Sequence, residues 1–140
     1  MGRSKIILKM TEKQEIYKCA ICGNIVEVLD NGVGTLVCCN QNMNKMEEKI
    51  SEEGNEKHKP ILEKNEEGVE VKVSSIPHPM EDKHFIEWIE ITTKNGTSKK
   101  FLKPGEKPEK KFPVGTEIIK VRSYCNIHGL WKNDAPEFSN

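Results

Sequence analysis

Four cysteines, Cys19, Cys22, Cys38 and Cys39, fall within residues 16–46, a segment too short to fold on a hydrophobic core alone. Such a module needs a staple. Cys19-x-x-Cys22 makes a tight loop whose two thiolates can face one ion, and Gly23 lets the backbone turn close beside it. Cys38 and Cys39 are adjacent, with Cα atoms about 3.8 Å apart. In extended backbone their side chains would point to opposite faces, so both reach one ion only if the chain bends there. Four thiolates suit zinc or a single iron, and their spacing does not separate the two; a purely structural zinc knuckle is the plainer alternative.

The rest of the sequence supports a metal over disulfides. The chain carries five cysteines, an odd number for a disulfide framework. The apolar stretch Ile6, Ile7, Leu8 is too short for a signal-peptide core, and Ile6 breaks the myristoylation pattern. A reducing cytoplasm is therefore expected, where clustered thiols bind metal more often than they pair. No run of apolar residues is long enough to span a membrane. Lysine plus arginine and aspartate plus glutamate cancel at 22 each, which argues against a nucleic-acid or polyanion partner.

Residues 1–15 read as an N-terminal extension, and residues 16–46 as small hairpins punctuated by Gly23-Asn24, Asp30-Asn31-Gly32 and Gly34. Residues 47–59, "EEKISEEGNEKHK", are charged and poor in large apolar groups, as in a linker. Beyond them the period changes to two. Val69, Val71 and Val73 alternate with Glu70 and Lys72, and "HFIEWIEIT" and "TEIIKVRSYC" are rich in β-branched and aromatic residues. Asn95-Gly96, Pro104-Gly105 and Pro113-Val-Gly115 supply turns. No helical period of useful length appears, so residues 60–140 are expected to form a β-sandwich and the whole chain to be all-β.

All four histidines, His58, His78, His84 and His128, lie outside the cysteine module, in the part of the chain that holds Cys125. Singly, each is more simply a surface or capping residue. Taken together they form a ligand set. Cys125 and His128 span one tight turn, and His78 and His84 can converge from a loop and a strand end. With His58 brought over from the linker, four imidazoles and one thiolate would meet. That overshoots zinc, which closes its structural sites with four ligands, but suits five-coordinate iron with one position open. An axial thiolate would make such an iron electron-rich, as it does in haem enzymes.

In this order, "YKCAICGNIVEVLDNGVGTLVCC", "EKHKP", "HPMEDKHFIEWIEI" and "YCNIHGLW" make the chain resemble desulfoferrodoxin, the two-iron form of superoxide reductase, from about Ile16 to Trp131. The resemblance implies a desulforedoxin-like module followed by an immunoglobulin-like sandwich. It implies one iron on Cys19, Cys22, Cys38 and Cys39, where zinc can substitute, and a catalytic iron on His58, His78, His84, His128 and Cys125. The implied reaction is one-electron reduction of superoxide to hydrogen peroxide without release of dioxygen. Glu56 and Lys57 match the family's residues beside the open face: Lys57 to attract the anion and help its protonation, Glu56 to occupy the sixth position of the ferric state. A rubredoxin-type donor and a homodimer are also implied.

One departure stands out. The family reads Gly-Gln-Pro-Met after the paired cysteines, and this chain reads "NQNM" at residues 40–43, where Asn40 is expected to accept a left-handed backbone in place of glycine. The lysine-rich stretch 98–111, six lysines against two glutamates, reads first as a solvated loop. Placed near the iron, it would steer superoxide or dock an acidic donor. Two other functions remain: a rubredoxin-like electron carrier, which leaves the histidines unexplained, and a zinc-stapled interaction module.

Overall fold

The computed structural model of the protein describes residues 9–50, 59–73, 78–113, 117–134 and 138–139. Among them there is no helix, and the chain divides into two compact units, residues 1–46 and 47–140.

The first unit is built from very short strands. β1 (Ile16–Lys18) lies between β2 (Ile25–Glu27) and β5 (Asn44–Lys45), while β3 (Val37–Cys38) and β4 (Gln41–Asn42) form a separate hairpin. Its described buried apolar residues are Ile16, Tyr17, Cys19 and Val28. Four side chains bury too little surface to hold some 35 residues against their conformational entropy, which is why a staple is needed. Residues 10–15, read from the sequence as part of an extension, are tied into this unit. Met10 bridges Val33, Thr11 N donates to Gly32 O at 2.9 Å, and Gln14 N donates to Val28 O at 2.8 Å.

The second unit is a sandwich of two four-stranded sheets. One runs β10 (Glu109–Phe112), β7 (Gly68–Val73), β6 (Pro60–Asn65), β13 (Phe138–Ser139); the other runs β12 (Gly129–Asp134), β11 (Ile118–Cys125), β8 (Ile86–Thr93), β9 (Gly96–Phe101). The alternation in β7 does what the period predicts: Val69, Val71 and Val73 are buried and meet Leu62, Phe112, Ile89, Ile91 and Val121 in one core. Gly68 is required at the β6–β7 turn, because it has φ +146° and a Cβ there would strike the Phe112 carbonyl.

β8 and β11 are buried on both faces. On the face away from the core, Trp88 stacks on Tyr124 with ring centroids 4.4 Å apart, and Arg122 pairs with Glu90. Arg122 also reaches Glu48 at 3.3 Å. Glu48 belongs to the charged stretch read as a linker, yet Glu48 and Lys49 are tied to the edge of the sandwich. Lys49 forms a parallel bridge with Trp131, its amide donating to Leu130 O at 2.9 Å and its carbonyl accepting from Lys132 N at 2.8 Å. The outer edge of β12 is therefore met by a single bridge at Lys49.

Candidate metal centres

In the first unit, Cys19 follows β1 and opens a loop closed by Gly23 N to Cys19 O at 3.0 Å and Cys19 N to Asn24 O at 2.9 Å. The loop aims two amides at one sulfur: Ile21 N and Cys22 N each lie 3.4 Å from Cys19 Sγ. These donors favour the thiolate. Led by the Cys22 amide and opposed by burial, they bring the Cys19 thiol down to about 6.

The paired cysteines meet the geometric demand in an unexpected way. Cys39 and Asn40 both adopt left-handed backbone, φ +54° and +61°. Two successive left-handed residues turn the chain sharply between β3 and β4, so the two side chains no longer point apart. Cys22 Sγ lies 3.5 Å from Cys38 Sγ, and Cys38 Sγ lies 3.9 Å from Cys39 Sγ. A tetrahedral ion with bonds near 2.3 Å sets its sulfurs about 3.8 Å apart, so the group fits an ion of that size. Without a cation the crowd is self-limiting: Cys22, Cys38 and Cys19 push the Cys39 thiol up to about 12. Asn24 Nδ2, 3.8 Å from Cys38 Sγ, is a further donor that the cysteine spacing did not reveal.

The second group lies in the sandwich unit, where His78, His84, Cys125 and His128 bring their ligand atoms within 4.8 Å of one another. Cys125 is fully buried at the end of β11. The turn 126–128 follows it and presents His128, whose Nδ1 lies 3.8 Å and whose amide lies 3.5 Å from Cys125 Sγ. His84 does not open β8, which starts at Ile86; it closes a turn by bridging Glu81. Its ring lies 4.8 Å from that of His78 and 5.0 Å from that of His128, each pair edge to face. His78 Nδ1 donates to its neighbour's carbonyl, Pro79 O, at 2.7 Å, which fixes the tautomer with the lone pair on Nε2.

The fit to a metal rests on His84. Its Nε2 is buried and has no hydrogen-bond partner among the described residues. A buried ring nitrogen in that condition, facing two further imidazoles and a thiol, is accounted for by an ion at their centre. Two nitrogens on one ion, with bonds of about 2.1 Å, lie no more than about 4.2 Å apart, close to the spread observed. Glu56, Lys57 and His58 lie outside the described residues. The stretch 98–111, read from the sequence first as a solvated loop, lies partly in β9 and β10, and the loop between them is tied beside this group: Gly105 N donates at 2.8 Å to the carbonyl of Met80, two residues beyond His78.

Two family models match the chain: "Desulfoferrodoxin, N-terminal domain" over residues 11–46 and "Desulfoferrodoxin" over residues 50–134. The chain belongs to the desulfoferrodoxin family. A desulfoferrodoxin from Syntrophotalea carbinolica is 52% identical over 125 residues, covering 89% of this chain and 99% of that relative. A protein from Methanocaldococcus jannaschii described as a putative superoxide reductase is 36% identical over 104 residues, covering 64% of this chain and 88% of its own. The crystal structure of the superoxide reductase from Treponema pallidum has the same fold, with a TM-score of 0.70 at 23% identity, covering 86% of this chain and 97% of that one. Desulfoferrodoxins carry two iron centres, and this member has two groups able to bind metal, one of four cysteines and one of three histidines with a cysteine.

Proposed function

We propose that the protein is a superoxide reductase, converting superoxide to hydrogen peroxide by one-electron reduction and releasing no dioxygen. The observation that carries this is the convergence of His78, His84, His128 and Cys125 around the buried Nε2 of His84, which has no hydrogen-bond partner among the described residues. In this reading Cys19, Cys22, Cys38 and Cys39 hold one iron, and His58 joins the second group to give four imidazoles and one thiolate. Bound there, iron would supply the electron. The chain's own residues do the rest. The Cys125 thiolate, buried against the core, would be one of the iron's ligands and would make it electron-rich. The imidazoles would supply the remaining ligands, His84 and His128 each held by its turn, and a five-coordinate iron would have room for a small anion. Lys57 draws superoxide toward that side and helps deliver protons through water, and Glu56 covers it in the oxidised resting state.

The description of the Methanocaldococcus jannaschii relative points the same way. An electron-carrier role would use the four-cysteine group and leave the second group without a purpose. For the assembly we propose a homodimer, through which the thin first unit gains core, with a rubredoxin-type protein as electron donor. Metal analysis with a visible spectrum of protein made in iron-rich medium, followed by rapid mixing of the reduced protein with superoxide, tests the assignment. Two irons per chain and hydrogen peroxide without dioxygen are expected. One tetrathiolate iron with no superoxide chemistry would overturn the enzyme in favour of the carrier, and a colourless zinc protein would overturn both.

A further inference from the structure

Two members of the second ligand group sit on turns far apart in sequence: His84 on the turn Glu81–His84, and His128 on the turn 126–128 that follows Cys125. One side chain joins them. Asn126 Oδ1 accepts from Phe85 N at 2.9 Å, and its Nδ2 donates to Lys83 O at 3.0 Å, so the carboxamide grips the peptide groups on both sides of His84. The Asn126 amide adds a third bond, to Phe85 O at 3.2 Å. His84 itself is tied to Glu81 through its own amide at 3.1 Å and its carbonyl at 2.9 Å. The backbone around His84 is thus hydrogen-bonded on every side.

The far end of the ligand turn is held from another direction. Lys49 Nζ donates to His128 O at 2.9 Å and stands 5.3 Å from the centre of the Trp131 ring. The Lys49 backbone is itself held to the edge of β12 by two hydrogen bonds, to Leu130 O and from Lys132 N.

We propose that Asn126 and Lys49 are positioning residues for the metal ligands, Asn126 locking His84 against the Cys125–His128 turn and Lys49 locking the His128 end. This rests on the reading of the second group as an iron site. The chemistry of Asn126 is specific: the site needs a donor and an acceptor on one short side chain, which a carboxamide supplies and an ionised carboxylate does not. Asn126→Asp would set an acceptor against the Lys83 carbonyl, and Asn126→Ala would strip both main-chain groups of their partner. Ligand donors must stay within about 0.5 Å of the productive geometry, and loss of such outer contacts costs about 10- to 100-fold in metal affinity.

The test uses the full chain loaded with iron, in Asn126→Asp, Asn126→Ala and Lys49→Met forms. The rate at which a chelator removes iron from the second centre, and that centre's reduction potential, are measured with the visible bands of the four-cysteine centre as internal reference. Both Asn126 variants should lose the second iron about 10- to 100-fold faster and shift its potential, with the reference unchanged. Lys49→Met keeps an apolar stem over Trp131 but no donor, so it reports on the His128 clamp even where an Asn126 variant fails to fold; a smaller acceleration is expected. Parent release rates and parent potential in the variants that fold would overturn the proposal. A parent chain that takes up only the four-cysteine iron would instead overturn the metal reading beneath it, and its own metal content tells the two failures apart.

Discussion

The two units face the same chemical task, gathering ligands around an ion, with opposite resources. In the first, three buried apolar residues besides Cys19 and strands of two or three residues surround the cysteines, so the ion would be a main part of the fold. In the second, Leu62, Val69, Val71, Ile89, Ile91 and Val121 form an apolar core of their own, while His84 closes one turn and His128 ends another beside it. A metal can hold a fold together, or a fold can hold a metal. The first kind of site tolerates little variation in its ligands; the second is open to tuning by residues such as Asn126.

The largest effect expected from this contrast is on metal removal. Stripping both ions under reducing conditions should unfold the first unit and leave the sandwich folded, since binding energies on the order of 10 kcal/mol are typical of small metal-dependent modules. Amide hydrogen exchange, read unit by unit, measures it. Retained protection across β1, β2 and β5 in the metal-free protein would break the comparison.

Cys125→Ser comes next. Replacing the buried thiolate should lower superoxide reduction by more than about 100-fold, because a ligand outweighs the outer contacts that cost up to that much, while the four-cysteine bands stay as they were. Rapid mixing with superoxide checks it, and near-parent activity would remove Cys125 from the site.

Lys57→Ala should slow the second-order reaction with superoxide several-fold and flatten its dependence on ionic strength, as one attracting charge is lost and salt has less to screen. Pulse radiolysis at two salt concentrations decides. The parent rate with the parent salt slope would deny Lys57 a steering role.

The smallest effect concerns the first unit alone. Burial would raise the Glu15 carboxyl, but hydrogen bonds from Lys45, the Glu12 amide and Tyr17 outweigh it and hold the group below its ordinary value. A carboxyl depressed in the folded state contributes stability above its unfolded pKa, and the contribution is lost as pH falls through the folded one. Glu15→Gln should therefore cost about 1 kcal/mol near pH 6, and the gap from the parent should close as pH falls below about 4. Thermal unfolding of the metal-loaded protein at both pH values measures the gap. A gap that does not depend on pH would show that the carboxylate's charge is not what matters.

Much of this was legible in the residues. Ligand chemistry is local and type-specific, so Cys19-x-x-Cys22, Cys38-Cys39 and the Cys125/His128 spacing were legible as ligand-type groups, and the fold brings each group together. The two-residue period of Val69, Val71 and Val73 likewise fixed which face of β7 is buried. The demand for a bend at Cys38-Cys39 was equally clear.

How that bend is made was a matter for the tertiary structure, as were the contacts that steady the second site. Composition placed Glu48 and Lys49 in a linker because charged residues avoid cores, yet both lie along the sandwich, where Arg122 and the His128 carbonyl give their charges partners. Lys49 stands 79 positions from His128 and Asn126 stands 41 from Phe85, separations at which no periodicity or spacing rule carries information. Such pairs exist only once β8, β11 and β12 have taken their register. The sequence names the donors because ligation depends on side-chain type, whereas their mutual placement is decided by strand pairing, which is a property of the whole sheet.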